Sequence, residues 1–127
     1  MKKRSIIRIK NFEITVELNS SETANIIWNS LPITEIINTW GKEIYFKTNI
    51  DVNLDSKAKD VINFGEIVYW PDGKVIAIGF GKTPISLANE IRLASKCNVW
   101  GKTGFDLKKL NNISNGELVS GTKDKET

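Results

Sequence analysis

The sequence predicts a mainly β protein, an antiparallel barrel or sandwich of seven or eight short strands with one clear helix. Three observations support this fold class. Apolar and polar residues alternate with a period of two in several short runs, turn residues separate these runs at close spacing, and a helical period is clear only once. The 127 residues correspond to about one domain. We expect a barrel, because closure protects the edges of the sheet.

The first element is a hairpin. Four apolar residues alternate with polar ones in residues 12–18, which indicates a half-buried strand. Residues 5–9 are its expected partner, with the turn at Lys10 and Asn11.

A short amphipathic helix follows between residues 19 and 31. Ala24, Ile27, Trp28 and Leu31 fall on one helical stripe. Asn19 and Glu22 have the spacing of a capping pair, and Pro32 ends the helix.

Two further strands are predicted at residues 33–39 and 43–48, joined through Trp40, Gly41 and Lys42. Gly41 supplies the backbone freedom that a sharp reversal needs. Residues 49–60 are polar and charged, and we expect a surface loop that contains a helical turn.

The densest apolar segment is a hairpin of residues 67–70 and 74–81 around Pro71, Asp72 and Gly73. Proline presets one dihedral angle of the turn, and glycine is expected to accept a positive one. In the second arm one face is small and the other is large, as in a central strand with a filled interior on one side.

The last third of the chain is less regular. Residues 82–95 are expected to form a loop with a helical turn, and residues 96–102 a strand. Phe105, Leu107 and Leu110 are expected to cover one end of the barrel through a short helix. Asn115 and Gly116 turn the chain into a last strand at residues 117–120, and residues 121–127 form a frayed polar tail after an ordered barrel of about residues 5–120. We expect a single domain over residues 1–127.

Composition excludes several function classes. Without His and with one Cys, the chain cannot build a His-ligated metal site, an internal disulfide or an imidazole-based triad. We expect no metal and no cofactor. The net charge of +3 and a basic N-terminal segment without interleaved aromatic residues do not favour nucleic-acid binding.

The remaining expectations concern location and reactivity. No apolar run is long enough to span a membrane and no secretory signal is present, so we expect a cytoplasmic protein, a monomer or a homodimer. Cys97 is expected to be buried and unreactive, with a raised pKa. Residues 80–84 lack the glycine spacing of a phosphate loop.

Four segments carry a family resemblance. Residues 38–46 (NTWGKEIYF), 65–74 (GEIVYWPDGK), 80–84 (FGKTP) and 98–102 (NVWGK) resemble, in the same order, the small stand-alone cyclophilin-like proteins of archaea and bacteria. The resemblance implies a closed antiparallel barrel of about eight strands, with one or two short helices, one of which caps an opening. The family carries no established activity.

The resemblance to prolyl isomerases is one of fold and does not extend to their site. Those enzymes use an arginine supported by a Phe-Phe pair, a glutamine and a histidine, and this chain has no His, no Gln and no Phe-Phe pair. Arg92 is the only plausible substitute, because Arg4 and Arg8 lie on the N-terminal hairpin.

The aromatic residues of these segments, together with two polar ones, are the candidate ligand-binding residues. For each of these residues, packing or simple solvent exposure is the alternative to ligand contact. Glu43 is a possible anchor for a cationic or amide group with Tyr45 as a wall, although a solvated strand face is the simpler interpretation. Asn98 and Trp100 share a face that could form an apolar pocket with one polar handle. The full set is Trp40, Glu43, Tyr45, Tyr69, Phe80, Asn98 and Trp100.

These features lead to three functional hypotheses. The first is a binding module that holds an unidentified small molecule or peptide at an aromatic opening of the barrel. The second is a weak peptidyl-prolyl isomerase that uses Arg92. The third is a structural or interaction protein with a filled barrel and no pocket.

Overall fold

The computed structural model describes residues 3–124, in which ten antiparallel strands curl into a nearly closed barrel. The helices are α1 (Glu22–Ser30) and a 3₁₀ helix (Leu107–Asn112). The strands are β1 (Arg4–Ile9), β2 (Phe12–Leu18), β3 (Ile33–Ile36), β4 (Asn38–Thr39), β5 (Glu43–Lys47), β6 (Lys59–Ile62), β7 (Glu66–Trp70), β8 (Val75–Gly79), β9 (Ile91–Lys102) and β10 (Leu118–Lys123). The mainly β, barrel-shaped prediction is confirmed.

The two ends of the sheet meet in one stretch of chain. The strand order is β3-β10-β1-β2-β9-β7-β8-β5-β4, and β6 pairs with β9 outside this path. β3 and β4 are therefore the two edges, although only Ile37 separates them in sequence. The Ile37 amide donates to Glu117 O at 3.0 Å, and its carbonyl accepts from the Gly116 amide at 3.0 Å. The predicted single strand 33–39 is thus two strands that pair with different neighbours.

Apolar side chains form two clusters on opposite faces of β8. The barrel interior holds Ile76 and Ile78, together with inward residues of the other strands, α1 and the 3₁₀ helix. The second cluster lies on the outer face, where β6 and the first half of β9 cover it. It consists of Ile62, Val68, Ala77, Ile91, Leu93 and Cys97. The two-faced pattern predicted for this strand is confirmed, and the outer cluster positions the candidate site.

The hairpin turn between β7 and β8 differs from the prediction in its detail. Lys74, and not Gly73, adopts the positive φ of 54°. Gly73 is needed for another reason, because a Cβ there would lie 2.5 Å from Cε3 of Trp70. The glycine therefore makes room for the indole ring.

The N-cap of α1 also differs from the prediction. Ser21 is the N-cap, and its Oγ accepts from the Ala24 amide at 3.1 Å. Asn19, the predicted cap, lies before the helix and donates from Nδ2 to Val99 O at 2.8 Å. Its side chain ties the helix entry to β9.

Three strands have boundaries that differ from the prediction. β6 lies partly within the predicted loop 49–60, and β9 begins at Ile91, well before residue 96. β10 continues through the predicted tail to Lys123, which pairs with Ser5. The rest of that tail, residues 125–127, lies outside the described residues.

Candidate functional site

Glu43 is a buried carboxyl group on the outer face of the barrel. It begins β5, directly opposite Gly79 of β8, and only 8% of it is exposed. Within residues 3–124 its carboxyl group forms no hydrogen bond and no ion pair. Burial raises the pKa of Glu43 to about 7. The solvated-face interpretation is therefore wrong for Glu43, because β6 and β9 cover this side of the sheet.

The walls around Glu43 come from β5, β8 and β9. Tyr45 shares the face of Glu43, lies opposite Ala77 and packs, half-buried, against the outer cluster. Beside Glu43, a Cβ on Gly79 would lie only 2.6 Å from Cγ2 of Ile91. The side chain of Ile91 thus occupies the space that the glycine leaves opposite Glu43.

A tight backbone contact frames one side of the site. The Lys42 amide donates to Lys82 O at 2.9 Å, and the Phe80 amide donates to Lys42 O at 2.8 Å. Gly41 has a φ of 58°, and a Cβ there would come within 2.9 Å of Lys82 O and of Cδ of Pro84. The β4–β5 turn, which carries the half-buried Trp40, is thereby held against the loop 81–90.

Cys97 belongs to the same outer cluster. Burial raises the pKa of its thiol to about 12, and the charges of Glu43 and Asp60 act in the same direction. The thiol donates to Ser95 O at 3.4 Å. The predicted burial and raised pKa of Cys97 are confirmed.

Three of the predicted aromatic residues lie inside the barrel. Tyr69 and Trp100 are buried in the interior cluster, and Phe80 is 9% exposed. The Tyr69 hydroxyl donates to the Ile50 carbonyl. These three rings fill the barrel interior, on the other side of the sheet from Glu43. They therefore do not line an opening that a ligand could enter.

Asn98 is a structural bridge. It is 0% exposed, and its Nδ2 donates to Thr23 Oγ1 at 3.0 Å and to Asn53 O at 2.9 Å, while its Oδ1 accepts from the Asp55 amide at 2.9 Å. These three bonds use the amide group to hold α1 and the loop before β6 against β9.

Arg92 lies on the outer layer, where β9 pairs with β6. Its Nη1 is 3.5 Å from Oδ2 of Asp60, and its Nε donates to Oε2 of Glu90. The guanidinium group is thus engaged by two carboxylates. This arrangement differs from the free donor that polarisation of a prolyl amide requires.

Several surface clefts lie away from the predicted residues. Five of these clefts have volumes between about 400 and 760 Å³. None of the seven candidate residues lines any of the five. One of them lies between β3 and β5, a position that depends on the strand order and that no sequence motif indicates. Two of the candidates carry a buried polar group that has no partner among the described residues: Trp100, through Nε1 inside the barrel, and Glu43. Of these two, Glu43 lies on the outer face, beside Tyr45 and the turn of Trp40.

Residues 3–124 contain neither a membrane-spanning helix nor a cluster of metal-ligating side chains. Among residues 3–124, no helix has both the length and the apolar character to cross a bilayer. In the same residues, no group of three or more His, Cys, Asp or Glu side chains is placed to hold a metal ion.

Comparisons with known proteins agree with the fold. A family model described as cyclophilin-like matches residues 3–120. The solution structure of the hypothetical protein AF2241 from Archaeoglobus fulgidus is 38% identical to this chain, with a TM-score of 0.81, and the match covers 97% of this chain and 95% of that one. No curated protein matches the sequence. The extent of the family match and the barrel described above show that the chain belongs to the cyclophilin-like family.

Proposed function

We propose that this protein is a binding module that holds a small molecule or a peptide through a nitrogen-bound hydrogen-bond donor at the Glu43 carboxyl group. The donor is an ammonium or an amide N–H, and Tyr45 forms an apolar wall beside it. The observation that carries the proposal is the burial of Glu43 without a partner among the described residues.

A nearly buried acid that has no partner in the folded chain carries a free-energy cost, and within residues 3–124 Glu43 is such an acid. Buried polar groups in native proteins are nearly always hydrogen-bonded, and an exception needs an explanation. A leucine or glutamine at this position of β5 would avoid the cost of removing a carboxylate from water. A ligand that supplies the missing donor recovers this cost on binding.

The pKa of Glu43 suits both kinds of donor. With a pKa of about 7, the ionised and the neutral form are both populated near neutral pH. The ionised form pairs with an ammonium group, and the neutral form accepts an amide N–H and donates to its carbonyl. Binding of an ammonium group is therefore expected to strengthen as the pH rises from 6 to 8.

The experiment is a thermal-shift screen of primary alkylamines, simple secondary amides and short proline-containing peptides. Ligands that bind the folded state raise the melting temperature. For a probe that does so, we expect Glu43→Gln to remove the shift for amines, whereas Glu22→Gln, at an exposed glutamate of α1, retains it. The proposal fails if no probe shifts the wild-type chain, or if an amine shifts Glu43→Gln equally.

A further inference from the structure

Trp40 and Glu43 face each other across the tight turn between β4 and β5. Thr39 pairs with Ile44. In the same register the next pair towards the turn is Trp40 with Glu43, and the Trp40 amide donates to Glu43 O at 2.9 Å. Side chains that lie opposite each other in an antiparallel pair share one face of the sheet, with Cβ atoms about 5 Å apart. Trp40 therefore lies on the outer face together with Glu43.

Tyr45 supplies a second ring on the same face. It lies two residues after Glu43 on β5 and is the diagonal neighbour of Trp40. Diagonal neighbours have Cβ atoms about 7 Å apart, a separation that aromatic side chains can bridge. Both rings are half-buried, whereas only 8% of Glu43 is exposed. Two partly exposed rings thus stand beside a carboxyl group that is almost fully buried.

Among residues 3–124, no cation of the chain itself occupies this site. The lysine ammonium groups that lie over aromatic rings in this part of the chain contact Trp28 or Phe105, on other surfaces. Lys42, which belongs to the turn, donates to Oδ1 of Asn111 and so has a partner elsewhere. A cation that binds beside Glu43 is therefore supplied by another molecule.

We propose that the ligand of the Glu43 site carries an N,N-dimethylammonium group, whose N–H donates to the carboxylate while its methyl groups contact the rings of Trp40 and Tyr45. This inference rests on the function proposed above and narrows its ligand class. A cation within about 6 Å of a ring centroid is attracted to the face of the ring, and aromatic rings form the walls of sites for methylated ammonium groups. The ionised Glu43 adds a charge-assisted hydrogen bond to this attraction.

The number of N–H donors distinguishes the possible ammonium groups. A primary ammonium group has three donors, and a site of one carboxylate between two rings does not satisfy all of them. A trimethylammonium group has no donor, so it leaves the buried carboxylate of Glu43 without a hydrogen bond. A dimethylammonium group gives its single donor to the carboxylate and its methyl groups to the rings. We therefore expect the dimethylated cation to bind most tightly.

The test is a titration of the chain with n-butylamine and with its N-methyl, N,N-dimethyl and N,N,N-trimethyl derivatives at pH 8, where Glu43 is mostly ionised and the amines are protonated. Proton NMR follows the methyl signals of the ligand, which move upfield over a ring face, and gives the dissociation constant. We expect the dimethyl compound to bind about tenfold more tightly than butylamine. Trp40→Leu should remove this preference, whereas Trp28→Leu, at a half-buried tryptophan of α1, is the matched control and should retain it.

Tyr45→Leu tests the second ring, and it replaces Trp40→Leu if circular dichroism shows that the latter is unfolded. Tyr45→Phe keeps the ring and should bind as the wild type does. The inference is overturned if butylamine or the trimethyl compound binds at least as tightly as the dimethyl compound, or if the folded leucine variants keep the preference. Amine binding that needs Glu43 but shows no methyl preference overturns this inference and leaves the proposed function standing. If none of the four amines binds, this inference is overturned, and the amides and peptides of the thermal-shift screen then decide the proposed function.

Discussion

The side-chain amide of Asn98 on β9 donates to the hydroxyl of Thr23 on α1 at 3.0 Å, and both residues are buried. The same amide group bonds Asn53 O and the Asp55 amide. One side chain therefore joins the long central strand, the helix and the loop that leads to β6.

We predict that Asn98→Ala lowers the free energy of unfolding by about 3 kcal/mol, because it leaves several buried polar groups without partners. Urea denaturation measures this change. Asn112→Ala, at an exposed position of the 3₁₀ helix, is the matched control and should change little. A loss no larger than that of the control would contradict the bridging role.

The pKa of Glu43 predicts how stability depends on pH. The folded pKa of about 7 lies above the ordinary glutamate value of 4.5, so the folded state holds the proton more tightly. The contribution of protonated Glu43 to the stability of the folded state is fully present below pH 4.5, and it is lost as the pH rises through 7. By linkage this one group lowers the free energy of unfolding by roughly 3 kcal/mol across that window.

Glu43→Gln should remove this slope and be more stable than the wild type at pH 8. Denaturation series at pH 4.5, 6 and 8 compare the two chains. Glu22→Gln serves again as the exposed control and should keep the wild-type slope. Parallel pH profiles for the wild type and Glu43→Gln would show that Glu43 is ionised in the folded state without this cost.

Phe80 is expected to act in packing. Its ring lies at the edge of the interior cluster, and we predict that Phe80→Ala costs about 3 to 5 kcal/mol of stability. Lys108→Ala, on the exposed side of the 3₁₀ helix, should have almost no effect. A small loss at Phe80 measured by thermal denaturation would mean that the ring contributes to the surface and not to the core.

Arg92 remains the test of the isomerase hypothesis. Because Glu90 and Asp60 engage its guanidinium group, we expect the chain to leave the rate of prolyl isomerisation in a model peptide unchanged. A protease-coupled assay measures that rate. If the wild type accelerates isomerisation and Arg92→Ala does not, the isomerase activity is established instead. Lys82→Ala, at a nearby exposed position, is the control and should behave as the wild type does.

The local sequence pattern was sufficient to predict most hairpins of the barrel. The alternation in residues 12–18 and the turn at Pro71 and Asp72 depend on neighbours in sequence, so they could be predicted. β6 could not, because Lys59, Asp60, Val61 and Ile62 show no alternation. Its strand character comes from pairing with β9, which is a tertiary contact.

The candidate site was predictable in its chemistry but not in its surroundings. Alternation correctly placed Glu43 and Tyr45 on one face of β5, and Asn98 and Trp100 on one face of β9. It did not show which face was covered. Because β6 and β9 cover the outer layer, Glu43 is buried, whereas three of the rings expected at a mouth, Tyr69, Phe80 and Trp100, lie in the interior.

Ile37 separates two strands whose partners differ greatly in sequence distance. β4 pairs with β5 through a short turn, whereas β3 pairs with β10 near the other end of the described chain. Contacts between distant residues carry a high entropy of loop closure and form slowly. Adjacent residues on the two sides of Ile37 are thus expected to gain their strand neighbours at different times during folding, with the β3–β10 pairing completing the cylinder late.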